Sequence, residues 1–228
     1  MSSSGDVPSG EGLSRIYDHR FNDAELQAKA VLWQVLCDSF FQQYVPVTGT
    51  VVDLGAGSCE FSNAITAGRK IAIDLNPDTK GFAAPDVEVH TTMSSDMSQV
   101  SEGSVDTVFT SNFFEHLPSR EELLDTLAEC HRVLRPGGLI VVLMPNIRNL
   151  PGSYWDYLDH TLPLTHLSLS EALELSDFQV TRVEPKFLPY TVKNKALPPK
   201  PGLVKAYLKM PLAWRVLGKQ MLVVGRRR

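Results

Sequence analysis

Asp53 lies inside the end of the apolar run "VVDL", and Gly55, Ala56 and Gly57 follow that run at once. A carboxylate at the end of a buried strand is costly unless a donor or a positive group meets it. Two glycines around one residue let the backbone turn tightly and come close to a ligand. Twenty-one residues on, Asp74 ends a second apolar run, "RKIAID". In nucleotide-binding sheets an acid at that distance accepts the hydroxyls of a ribose. His160 and His166 lie in the aromatic stretch "NIRNLPGSYWDYLDHTLPLTHL". Imidazole titrates near neutrality, which suits either histidine to take a proton from a substrate. Tyr154, Trp155 and Tyr157 of the same stretch could line a pocket for a flat ring or pack a loop down.

The elements that must hold these residues follow from periodicity. Apolar residues at helical spacing predict a helix over about Asp23–Tyr44, and Asn22 with Glu25 forms a capping pattern before it. "TVVDL", "RKIAID", "DVEVH", "SVDTVFTS", "LIVVLMP", "FQVTRVEP" and "KQMLVVGR" predict seven strands, with a short helix between the first two. Ser119 with Glu122 predicts the start of a helix that runs through "LLDTLAECHRVL" to a stop at "RPGG". Ser168 with Glu171 predicts another before "ALELS". Alternating strands and helices imply an α/β class, a Rossmann-like doubly wound sheet. Ligands of such sheets bind beyond the carboxyl ends of the strands, and an insertion at 146–167 hangs over that edge.

Taken together the motifs resemble the class I S-adenosylmethionine-dependent methyltransferases of the small-molecule type. The resemblance spans about Thr50–Val183 and rests on "VVDLGAG", "IAIDLNP", "SSDMSQV", "SVDTVFTSNFFEHL" and "HRVLRPGGLIVVLMPN" in that order. It implies a seven-stranded, mostly parallel sheet with the last strand antiparallel, and S-adenosyl-L-methionine as cofactor. It further implies that Asp53 and the Gly55, Ala56 and Gly57 backbone hold the methionine part, whose ammonium meets the acid. Asp74 would take the ribose hydroxyls, Asp96 the adenine amino group, and Met97 would offer backbone or packing to the ring. Ser111 and Asn112 would lie under the methionine part. Many members carry a third glycine where this chain has Cys59, so close approach of the helix is in question there. Glu115 and His116 sit where the next helix is set up and are taken as structural.

Composition bounds the rest. The 228 residues are 43% hydrophobic and 21% charged, as expected of one globular domain over 15–228 after a polar leader at 1–14. Cys37, Cys59 and Cys130 are odd in number and lack metal-ligand spacing, so they are expected as thiols of a reducing cytoplasm, with no metal site. Net charge is -4, yet Lys186–Arg228 holds eleven Lys plus Arg and no acid. Much of that basic segment falls in a second insertion at 185–218, which interleaves Leu, Tyr, Trp and Met with its cations. It suits an anionic membrane surface or a pyrophosphate-bearing acceptor, and equally a lid, a homodimer contact or docking on its own acidic domain. The acidic remainder argues against a nucleic-acid track. The expected function is methyl transfer, chiefly to oxygen, on a small-molecule, sugar or lipid-linked acceptor. The alternatives are an NAD(P)-dependent oxidoreductase, which "GAGSCE" lacks a third glycine for, and a non-catalytic cofactor-binding adaptor.

Overall fold

The computed structural model describes residues 23–190 and 200–228. The leader, the Asn22 capping position and part of the Pro-rich stretch "ALPPKPG" lie outside the described residues. Helix α1 (Asp23–Ser39) is followed by β1 (Thr50–Leu54), α2 (Glu60–Ala64), β2 (Arg69–Asp74), α3 (Thr79–Phe82) and β3 (Val87–Thr91). Then come β4 (Val105–Ser111), α4 (Arg120–Val133), β5 (Leu134–Pro145), α5 (His166–Leu175) and β6 (Phe178–Glu184). Two short helices, α6 (Pro201–Leu208) and α7 (Pro211–Leu217), precede β7 (Gln220–Arg227). The seven strands form one sheet in the order β3-β2-β1-β4-β5-β7-β6. β7 runs antiparallel to both β5 and β6, and the other pairings are parallel.

Alternation along the central strands divides the core in two, because successive side chains of a strand point to opposite faces. Val52, Leu54, Ile140, Val142, Met144, Met221 and Val223 face one side with Leu123 and Leu127 of α4 and Leu169 and Leu173 of α5. Val51, Phe109, Val141, Leu143, Leu222 and Val224 face the other. There they meet Leu36 and Cys37 of α1, Phe61 of α2, Leu208 of α6 and Trp214 of α7. The rings of Phe61 and Phe109 stack with centroids 3.7 Å apart, which pins α2 against the middle of the sheet.

Three boundaries differ from the sequence reading. The first helix ends at Ser39; Phe40 leaves helical geometry at φ -144, ψ -56, and a separate 3-10 turn covers Phe41–Tyr44. This lets Phe40 pack on Phe187 and Trp214, a contact no local pattern encodes. "RPGG" does not separate α4 from β5 but lies within β5, as an irregularity between the Val105–Leu134 and Thr107–Leu139 pairs. α5 begins three residues early, because Thr165 rather than Ser168 is the N-cap and Ser168 supplies the returning bond of its capping box. The Ser119 cap is present as expected, accepting the Glu122 N–H. The stretch 146–167 holds two 3-10 turns, Ile147–Asn149 and Ser153–Asp156. All three cysteines are buried free thiols.

Candidate functional site

The turn after β1 is fixed by its backbone. Gly55 and Ala56 both donate their N–H to the Ile73 carbonyl of β2, at 2.9 and 3.2 Å. Gly55, Gly57 and Cys59 have φ of 70, 51 and 58. At Gly55 a Cβ would lie 2.3 Å from the Phe113 ring, so only glycine fits between that ring and β2. Cys59 takes the left-handed conformation at the place where a third glycine was missing. It starts α2 with its thiol fully buried and 3.7 Å from the Thr79 carbonyl. The turn therefore has the shape of a three-glycine loop, at a backbone cost of about 1–2 kcal/mol for the side chain.

Asp53 is 4% exposed and accepts both the backbone N–H and the hydroxyl of Ser62 on α2. Burial still pushes its carboxyl up to about 7, against the two lowering bonds from Ser62. The acid thus has two donors of its own chain, which sequence reasoning missed, and burial still outweighs them. Asp74 stands beside it at the end of β2. Its Oδ2 accepts the Gly57 N–H at 2.7 Å and its Oδ1 the Asn76 N–H at 2.8 Å. Burial raises its pKa while these backbone bonds oppose the rise. Each oxygen keeps acceptor capacity, so Asp74 ties the glycine turn in place and can still receive a diol.

The loop bearing Asp96 and Met97 is clamped to α4. Met97 is fully buried in the core, its N–H donates to Glu129 at 2.9 Å, and its carbonyl accepts from Arg132 at 2.8 Å. Side chain and backbone of Met97 are thus already engaged. Arg132 also reaches the Val100 carbonyl at 3.0 Å, and Ser95 donates to Glu122 at 2.7 Å. Asp96 is exposed at the tip, accepting only the Ser98 N–H at 3.2 Å among the hydrogen bonds of its carboxylate. Asn112 follows β4 at φ 50, its N–H on the Leu143 carbonyl and its amide 3.0 Å from the Ser111 hydroxyl.

His160 and His166 have different neighbours. The Nδ1 of His166 lies 3.0 Å from the amide nitrogen of Asn146. That nitrogen also donates to the Pro185 carbonyl, and the Asn146 Oδ1 accepts from the Arg148 N–H, so His166 Nδ1 is an acceptor. Burial, then the Arg148 charge, lowers the His166 pKa. His166 is a neutral anchor of the α5 start. His160 instead is buried among rings: Tyr154 at 4.8 Å, Tyr157 at 5.0 Å and near-parallel, His116 at 5.0 Å. The chain reaches this place because Thr161 and Leu162 donate to the Glu115 carbonyl at 2.9 and 3.0 Å, and Tyr154 donates to the Leu162 carbonyl at 2.6 Å.

Glu115 and His116 are therefore more than helix set-up. Glu115 is 1% exposed, and its Oε2 has no hydrogen-bond partner among the described residues. Burial pushes its carboxyl up to about 7, with the His116 charge opposing. His116 Nδ1 faces both the carbonyl oxygen of Asp159 at 3.0 Å and its carboxylate at 3.3 Å. The signal in the sequence was the "EH" pair itself; what it lacked was that His160, 44 positions on, folds back onto it.

The basic segment packs through Leu208 and Trp214 and leaves Leu203, Met210, Leu212, Val216 and Leu217 exposed beside Lys205, Lys209 and Arg215. Among the described residues no ion pair joins a basic residue of 200–228 to an acid. A cleft of ≈ 350 Å³ lined by Gln42, Tyr44, Asp106, Arg135 and Arg226 lies at the amino-end edge of β4 and β5, away from these groups. No helix of the described residues is long and apolar enough to cross a membrane.

Residues 52–142 match the family model described as "Methyltransferase domain". No curated protein matches the chain by sequence. Solved structures share its fold. A SAM-dependent methyltransferase from Archaeoglobus fulgidus is 18% identical with TM-score 0.63, over 87% of this chain and 94% of that one. A structure of the complex of the Haloferax volcanii Trm112 methyltransferase activator with a methyltransferase gives 19% and 0.65, over 98% and 99%. A geranyl diphosphate methyltransferase in complex with GPP and sinefungin gives 18% and 0.58, over 86% and 76%.

Proposed function

From the premise that this chain carries an S-adenosylmethionine-dependent methyltransferase domain over residues 52–142, we propose that it methylates a hydroxyl of a small-molecule, sugar or lipid-linked acceptor. S-adenosyl-L-methionine supplies an activated methyl group on a sulfonium. The protein's share is to hold both partners in line and keep water out. Asp53 would meet the ammonium of the cofactor's amino-acid end, the backbone from Gly55 to Gly57 would lie along it, and Asp74 would accept the ribose hydroxyls. Asp96 is the acid at hand for the adenine amino group, and Asn112, after the end of β4, would lie under the amino-acid end.

The observation that carries the choice of a hydroxyl is the cluster beyond β4 and β5 of buried His160, Tyr154 and Glu115 with the partly exposed Tyr157 and His116. An amine acceptor needs only desolvation, whereas a hydroxyl gains from groups that handle its proton. His166, whose Nδ1 is engaged by Asn146, is assigned to positioning. Titration calorimetry with S-adenosylmethionine, its demethylated product and NAD comes first. Binding of the first two, and its loss on Asp53→Ala or Asp74→Ala, is expected; binding of NAD alone would overturn the reading. Transfer of labelled methyl to matched alcohol and amine panels decides the acceptor. His160→Ala should lower kcat about 100-fold with cofactor affinity within about two-fold. Equal loss of both would make His160 structural.

The basic helices α6 and α7 extend the proposal to an anionic surface that brings the acceptor. Exposed apolar side chains beside cations that have no acidic partner among the described residues are the pattern of an interfacial segment. Co-sedimentation with anionic vesicles, lost in zwitterionic vesicles and at high salt, is expected; salt-independent binding would count against it.

A further inference from the structure

We propose that Glu115, His116 and His160 form a binding site for a divalent transition-metal ion of the zinc class. One donor atom from each lies within 4.8 Å of the other two. In a tetrahedral shell with bonds of about 2.0–2.1 Å the ligands stand about 3.4 Å apart, so small rotations of the side chains close the set. Three features mark the cluster as built for a cation.

The first is the Glu115 carboxylate, which is 1% exposed and carries an oxygen without a hydrogen-bond partner among the described residues. A buried acceptor in that state keeps the desolvation penalty without a bond to offset it, and a cation is the partner that relieves it most. The second is the tautomer of His116. Its Nδ1 faces the Asp159 carbonyl at 3.0 Å, and a carbonyl only accepts, so the proton is on Nδ1 and the lone pair is on Nε2. The Asp159 carboxylate stands 3.3 Å from the same nitrogen. A carboxylate or carbonyl behind a histidine is the usual outer support of a metal ligand, fixing its ring and raising its basicity. The third is access: His116 keeps 28% of its side chain exposed, so a further coordination position can open to water or substrate.

Two imidazoles and one carboxylate select among metals. Magnesium and calcium prefer oxygen ligands only, whereas zinc, cobalt, manganese and ferrous iron accept mixed nitrogen and oxygen sets. The three cysteines are buried elsewhere and join no such group among the described residues.

The site shares Glu115, His116 and His160 with the acceptor end proposed above and rests on the same cluster, yet its test is separate from the methyl-transfer reading, because neither cofactor nor acceptor is present. The chelator-stripped full chain is dialysed against zinc, manganese and magnesium, and bound metal is counted by elemental mass spectrometry. One equivalent of zinc, unaffected by excess magnesium, and a rise in Tm are expected. Cobalt should give visible ligand-field bands without a thiolate charge-transfer band. Glu115→Gln and His160→Ala should weaken binding at least 100-fold, and Asp159→Asn about 10-fold through the loss of support. Because Glu115 is buried, His116→Ala, at a partly exposed position, is the second ligand variant. His90→Ala, at an exposed pair with Glu88, should leave binding unchanged. Failure of the wild-type chain to retain zinc, a thiolate band, or binding indifferent to both His116→Ala and His160→Ala would overturn the proposal.

Discussion

At the scale of single residues the turn after β1 trades stability for shape. Cys59 holds φ 58 in a fully buried place. Cys59→Gly removes the strain but also the packed thiol, so its stability should change by less than about 1 kcal/mol. Cys59→Val, whose branched Cβ tolerates positive φ far less, should cost about 2–4 kcal/mol in denaturant unfolding. Equal costs would mean that the backbone there relaxes freely. Asp53 gives a sharper test. Its carboxyl, ordinarily near 3.8, is pushed up to about 7 by burial. Between those pH values the folded chain binds a proton that the unfolded chain has released. Asp53 therefore contributes most stability below about pH 4 and loses it as pH rises to about 7. Asp53→Asn does not titrate. Its stability relative to the parent should climb over that window by up to about 4 kcal/mol, while cofactor binding falls. Parallel stability curves would remove the argument that this acid is held short of partners.

At the scale of elements, caps and clamps decide what the site can use. Ser119 accepts the Glu122 N–H at the start of α4, and Glu122 in turn receives the Ser95 hydroxyl from the loop after β3. Ser119→Ala should cost about 1 kcal/mol without changing the acceptor side, because the cap lies outside the histidine cluster. The Glu129–Arg132 pair does more than join two helix positions. It takes up both backbone groups of Met97, and Arg132 takes the Val100 carbonyl as well. Arg132→Met should loosen that loop, raising hydrogen exchange at 92–100 before any global loss of stability. Exchange unchanged there would show that core packing of Met97 suffices.

At the scale of the whole molecule the last strand is interior. β7 pairs with β5 and β6, and Met221, Leu222, Val223 and Val224 enter both halves of the core. A chain ending before Gln220 would lose both ladders and leave β6 without its pairing partner. It should show no cooperative unfolding transition, and a sharp transition in that truncation would refute the account. Arg182 ties the far edge to the amino-terminal helices. Its guanidinium donates to the Tyr44 hydroxyl at 2.7 Å and lies 5.2 Å from the centre of the Phe40 ring.

Much of this was legible in the one-dimensional pattern. Strand–turn–helix order, the apolar runs and the placing of Asp53, Gly55, Gly57 and Asp74 come from local rules: side chains alternate along a strand, glycine alone turns easily at positive φ, and Ser or Thr caps a helix. Those rules act over a few residues, so the sequence by itself determined the α/β order and the strand ends on which these residues stand. They do not act over tens of residues. That Ser62 rather than a ligand first answers Asp53, that Cys59 does a glycine's work, that Asn146 engages His166, and that His160 returns to Glu115 were decided only by tertiary packing. The physical reason is that a buried polar group must find its partner wherever the folded chain brings one.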